Sequence, residues 1–311
     1  MKKLINSVHL EGYLYQHNLE LKTSGENSKN PGTQYIAGSI DIATDAECIN
    51  IVPVHFTYTT ATYASSGKTN ETFNTLKNII DKVHKTVMEH GVENAAKVKV
   101  DTAIGLNEFF TTNRQTQEEE FVSVKRNEGG FVHIVANVDD DASQHNKFDV
   151  DMVITNVRHI EADDEKGTPE KAIVKGAIFD FRKSLLPVEL SVVNPNAIAY
   201  FEDLGATNSN PVFTRVKGRQ ISEVVVKKIT EESAFGEPSV REVKNIRKDF
   251  VINWAAKEPY EWDDEGSMTA QEFAEIIAAR ETHLATLKQR NEEYKASKAS
   301  TSAPAAGGFD F

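Results

Sequence analysis

The chain of 311 residues contains one cysteine, two tryptophans and nine prolines. Cys48 alone can form neither an intramolecular disulfide nor a multi-cysteine zinc site, which points to a reducing, cytosolic compartment. No apolar run approaches the roughly 20 residues that cross a bilayer as a helix, so no membrane partner is expected. The opening Met1-Lys2-Lys3-Leu4-Ile5-Asn6 returns to polar residues before any long apolar core, unlike an ordinary signal peptide. Positive charge is also scarce: 35 Lys and Arg stand against 47 Asp and Glu, a net charge of −12. That total opposes a nucleic-acid partner only if the charge is spread evenly over the surface. Hydrophobic residues make up 39%, which excludes general disorder.

Motifs for chemistry are missing too. Ser66-Gly67-Lys68-Thr69 looks like the end of a phosphate-binding loop, but Thr62 stands where that loop needs glycine. Lys68 is therefore read as a loop lysine within reach of a phosphate. No Ser/His/Asp or Cys/His nucleophile pattern is found, and the nine histidines are scattered. No enzyme, catalytic residue, metal or cofactor is expected.

What is present is alternation. Residues 7–15 place Val8, Leu10, Gly12 and Leu14 on one side, the mark of a strand with one buried face. Strands are expected again over 34–43 and 50–60. Helical spacing follows from Phe73 to Met88 and stops at Gly91. A strand over 97–104 and a hairpin turning at Asn127-Glu128-Gly129-Gly130 complete the unit. The order then recurs. Strands are expected at 150–157, 172–181 and 184–193, a short helix near 196–204, and strands at 212–219 and 221–229. Two short matches support a duplication: 35–40 against 173–178, sharing a glycine, and 50–56 against 184–190, sharing a proline. Thr269 and Glu272 form a capping box for a last amphipathic helix. Beyond Lys298 the chain is Ala, Ser, Thr, Pro and Gly, a linker composition, and it ends Phe309-Asp310-Phe311.

Each unit reads β-β-β-α-β-β, the OB-fold order of a five-stranded barrel with a helix after the third strand. The expected fold is mainly β with some α: two tandem OB-fold-like barrels, a C-terminal helix and a disordered tail. The expected boundaries are 1–140 and 148–232 for the barrels, 233–298 for a mixed extension and helix, and 299–311 for the tail. Such barrels bind oligonucleotides or oligosaccharides on an exposed face. Parity places Tyr13, Tyr15 and Tyr35 outward in the first unit, and Lys175, Phe179 and Phe181 outward in the second. Bases stack on such rings with little sequence preference. Arg215, Lys217 and Arg219 are spaced by two, so they share one face about 6.6 Å apart, near a phosphate spacing. Lys125-Arg126 and Arg182-Lys183 repeat the pairing of base and aromatic. Over 212–248 nine Lys or Arg stand against five Glu, a local +4.

This arrangement resembles the single-stranded DNA-binding proteins of bacteria and their phages. Those proteins pair OB-folds with a linker and a tail ending in acids and an aromatic. The resemblance implies sequence-independent binding of single-stranded DNA in replication, recombination or repair. It further implies that Phe309, Asp310 and Phe311 dock replication or recombination proteins, in the host cytoplasm for a phage protein. The competing reading is a virion structural or assembly protein built from tandem β domains.

Overall fold

The computed structural model describes residues 4–162, 169–231, 239–263 and 268–301, with backbone only over 223–247 and 298–301. The chain runs β1 (Asn6–His17), β2 (Glu20–Thr23), β3 (Gln34–Ala43), β4 (Ile51–Thr60), α1 (Glu71–Ile80), α2 (Val87–His90), β5 (Lys97–Thr112) and β6 (Glu119–Val135). It continues through β7 (Asn146–Ile160), β8 (Lys171–Phe179), β9 (Leu185–Val192), α3 (Pro195–Asp203), β10 (Val212–Glu231), β11 (Ser239–Ala255) and α4 (Ala270–Thr301).

The strand order closes twice. β1 pairs with β3, β3 with β4, β4 in parallel with β6, β6 with β5, and β5 returns to β1. β7, β8, β9, β11 and β10 repeat the circuit, again with one parallel step, between β9 and β11. A helix follows the third strand each time. The fold is therefore mainly β, with two tandem OB-like barrels and a C-terminal helix.

Closure follows from the alternation of the strands. Val8, Leu10 and Leu14 point into the first barrel with Ile40, Val54, Val98 and Val100, all essentially inaccessible to solvent. Phe148, Val150, Met152, Val174 and Leu190 fill the second. Phe73, Leu76 and Ile79 of α1 pack on this core, as do Ile198 and Phe201 of α3.

The barrels join through antiparallel pairing of β1 with β7, with Val8 opposite Phe148. Both strands carry a register shift, between Leu14 and Gln16 and between Ile154 and Asn156. Counted back from those shifts, Val8 and Phe148 are corresponding residues. The seam is thus isologous: Asn6 faces Val150, and Leu10 faces Asn146. The same count corrects the short matched motifs. Ile42 faces Leu14, and Gly176 faces Ile154, so Gly176 corresponds to Ile42 rather than to Gly38. The repeat lies in strand order and pairing, not in the aligned letters.

Several elements differ from expectation. Residues 127–130 are not a turn. Gly129 and Gly130 have φ of 65° and 107°, a bulge inside the continuous strand β6. A Cβ on Gly130 would stand 2.2 Å from the Asp101 carbonyl oxygen, so glycine is required there. The real turn is at 113–118, where Asn113 Oδ1 accepts from the amides of Gln115 and Thr116. β5 and β6 therefore form a long ribbon beyond the barrel. The expected strands at 212–219 and 221–229 are one strand, β10, and 239–255, expected as mixed extension, is β11, the fifth strand of the second barrel. The helix expected from Phe73 to Met88 breaks after Ile80, with Lys82 at φ 60° and Val83 and Met88 left exposed.

α4 starts at the expected capping box. The Thr269 amide donates to Glu272 Oε2 (2.9 Å), and the Glu272 amide to Thr269 Oγ1 (3.0 Å). Its first turns place Phe273 and Ile276 against a second cluster of Val153, Phe179, Phe213 and Met268. Arg280 then binds Glu108 of β5, and Asn291 and Lys295 bind Glu119 of β6, so α4 straps the first ribbon.

Candidate nucleic-acid interface

β10 and β11 pair from Val216 and Ala255 out to Glu231 and Ser239 as a second ribbon, and the two ribbons cross at the junction of the barrels. Lys125 of β6 donates to the Glu189 carbonyl of β9, with its ammonium 5.1 Å from the centre of the Phe250 ring. Asn127 of β6 and Gln220 of β10 exchange amide hydrogen bonds of 2.9 and 2.8 Å, and Asn127 also donates to the Pro53 carbonyl. Both side chains are buried, so removing one leaves the other unsatisfied.

A cleft lies along this crossing. Two adjoining hollows of about 320 and 670 Å³ share Pro53, His55, Ser222 and Lys248. Tyr15 and Asp41 line one end, and Phe109, Lys125, Arg126 and Phe250 the other. Three rings and three cations thus line one cleft, with the acids Asp41 and Asp249 among them. Phe109 is exposed and the other two rings are half-buried. Burial lowers the His55 pKa, and nearby Arg126 pushes the same way, so the imidazole is neutral at neutral pH. Burial also lowers Lys125, whose carbonyl and ring contacts take the place of water. Arg126 is held by Glu128, with Nε 2.8 Å from Oε1.

Of the residues singled out by parity, Tyr15, Lys125 and Arg126 meet in this cleft. Tyr13 is half-buried on β1 and lines neither hollow. Tyr35 packs against Tyr58, their ring centres 4.5 Å apart. Lys68 is exposed in the loop before α1, and Lys175 is exposed 3.9 Å from Glu189. Phe181 is 88% exposed, with the Arg182 guanidinium 5.0 Å from its ring centre. Lys183 has φ 64° in the β8–β9 turn, where Asp180 accepts from the Arg182 and Ser184 amides.

Phe179 is a correction. It is 1% exposed, covered by Phe273 of α4, and has no face for a base. Parity identified the outer side of β8, but that side is roofed. The stripe Arg215, Lys217 and Arg219 does share one face, yet its charges are unequal. Arg215 forms a two-pronged pair with Asp149 (2.7 and 2.5 Å), and Lys217 lies 3.8 Å from the same carboxylate. Arg219 is exposed and makes no ion pair among the described residues. Phe309, Asp310 and Phe311 lie outside the described residues.

Sequence reasoning missed His55, Phe109, Lys248 and Phe250 in the cleft, and Trp254 beside the stripe. Continuing β5 past Ile104 would have brought in Phe109. Pairing 239–255 with β10 would have brought in the other three β11 residues. Among the described residues no helix is long and apolar enough to cross a membrane. No group of three or more His, Cys, Asp or Glu is placed there to hold a metal.

One family description, YorF, matches residues 4–290. No curated protein matches the sequence. Two solved structures are similar in outline. One is a deletion variant of the single-stranded DNA-binding protein from Thermus aquaticus, at 9% identity and a TM-score of 0.46, covering 85% of this chain and 100% of that one. The other is the wild-type form of the same protein, at 9% identity and a TM-score of 0.42, covering 85% and 98%.

Proposed function

The chain belongs to the YorF family, and we propose that it binds single-stranded DNA without sequence preference, by stacking and phosphate contact and with no chemistry. The observation that carries this reading is the cleft at the ribbon crossing. There Tyr15, Phe109 and Phe250 line the same cleft as Lys125, Arg126 and Lys248. Every base has a flat face, so rings in series accept any sequence, each base contributing about 1–3 kcal/mol. Lys248, the exposed cation among them, meets the backbone and makes binding sensitive to salt. The neutral His55 offers one donor and one acceptor to base edges. A duplex does not present unstacked base faces, so this cleft selects single strands.

The wider setting is a role in phage or bacterial DNA replication, recombination or repair, in the cytoplasm, with Phe309, Asp310 and Phe311 docking a partner protein. Deleting residues 307–311 then leaves DNA affinity equal or slightly higher and removes partner capture.

The test is a titration of labelled oligo-dT at low and moderate salt. Binding at micromolar protein that weakens steeply with salt is expected, with duplex DNA of the same length binding far less. No binding at low salt, where phosphate contacts are strongest, overturns the reading.

A further inference from the structure

A second hollow of about 760 Å³ lies beside the β1–β7 seam. It shares no lining residue with the cleft. The wall between them is Gln220, whose carbonyl accepts from Asn50 (3.1 Å) and Asn146 (2.6 Å) and whose amide donates back to Asn146 (3.0 Å).

Its lining combines an open ring with open cations. Trp254 is 45% exposed, with the Lys217 ammonium 4.7 Å from its ring. Arg219 and Lys147 are exposed on the same lining, with the Lys147 ammonium donating to the neutral Gln144 Oε1. The two acids there are already engaged. Asp45 accepts from the Ile49 and Asn50 amides (2.8 and 2.7 Å), and Asp149 holds Arg215. Cationic charge is therefore what the hollow offers an incoming group, next to a flat aromatic face. That is the chemistry of a nucleobase with its phosphates.

We propose that this hollow is a second, independent seat for a short segment of single-stranded nucleic acid, with a base on Trp254 and phosphates on Arg219 and Lys147. The proposal rests on the reading of the cleft as the first seat, and makes one chain hold two segments at once.

The molecule supplies its own reporter. The cleft contains no tryptophan, and the other one, Trp262, is engaged with Phe213, Phe273 and the Pro211 carbonyl. Quenching of tryptophan emission therefore reads Trp254. Full-length protein is titrated at low salt with a thymidine pentanucleotide, following both tryptophan emission and the anisotropy of a labelled copy. The expected results are quenching that disappears in Trp254→Phe and a several-fold weaker quenching curve in Arg219→Glu. In Phe109→Ala quenching is unchanged, while anisotropy reports loss of the other site. Pentanucleotide binding without quenching, or quenching unaffected by Arg219→Glu, overturns the second seat. Quenching retained while Phe109→Ala leaves anisotropy untouched overturns the cleft instead.

Discussion

The two barrels share a circuit of strands but not their electrostatics, and corresponding positions at the seam show where they part. Glu11 faces Lys99 in the first barrel, and Asp151 faces Arg215 in the second, an acid on the first strand opposite a base on the fourth both times. One pair along, the barrels differ. His9 faces Asp101 and lies 2.7 Å from it, whereas Asp149 faces Lys217. The first barrel thus carries an acid where the second carries a cation. Strand geometry tolerates either sign on an outward position, so the fold keeps its symmetry while charge diverges. Net charge hides this; only position reveals that β10 is the basic strand.

The largest expected effect tests what holds the first ribbon. The Glu108 and Arg280 side chains are 7% and 12% exposed. Burial pushes the Glu108 carboxyl up, but the Arg280 hydrogen bond and charge more than offset this and hold it below the ordinary range. Arg280→Ala leaves a buried carboxylate with the Ser123 hydroxyl (3.0 Å) and the His283 ring (3.9 Å) still beside it. It costs up to about 3–5 kcal/mol, the figure for a broken buried pair, seen as a lower urea midpoint. Amide exchange in the first ribbon should speed up while the second barrel stays protected. Because the folded value is depressed, the pair's contribution is complete at neutral pH and fades only as pH falls through that value.

Next comes binding. Phe109→Ala should lose about 1–3 kcal/mol of oligo-dT affinity, roughly 5- to 150-fold, with thermal stability near wild type because the ring is exposed. Lys248→Glu should weaken binding evenly across sequences and flatten the salt slope by about one phosphate contact. Affinity measured at several salt concentrations checks both. Asp101→Lys copies the second barrel's sign into the first. It removes an exposed pair worth under about 1 kcal/mol and should raise low-salt affinity modestly; unchanged affinity would mean that this face never meets DNA.

The smallest effect compares two histidines. His17, at the end of β1, is lowered by burial. His159, near the end of β7, is raised, chiefly by its hydrogen bond to Glu202, with Glu170 adding. The His159 clamp is therefore complete below its ordinary value near 6.5 and is lost as pH rises through the folded value. Proton titration followed by NMR should find the two midpoints on opposite sides of that reference.

Strands with one buried face were legible because parity and burial coincide, as at Val8, Leu10 and Leu14. The capping box of α4 was legible because it is local. The ribbons were not: beyond the barrel both faces of β5 and β6 meet solvent, alternation fades, and Gly129-Gly130 reads as a turn. Phe179 failed for the opposite reason, since a distant helix covers an outer face. The cleft is harder still. Tyr15, His55, Phe109, Lys125 and Phe250 come from five different strands, and only the two closures bring them together.

Linking the halves in one chain has a consequence at the seam. On the axis of a true two-fold dimer a residue meets its own copy, so a mutation there is made twice and a large side chain must face an equally large one. Here Val8 meets Phe148. A small residue against a large one fits a line of contact that a symmetric pair would either overfill or leave hollow. Tethering also makes the pairing intramolecular and so insensitive to dilution. Each half is then free to vary alone, and the mismatch at Val8 and Phe148 is what that freedom looks like in the core.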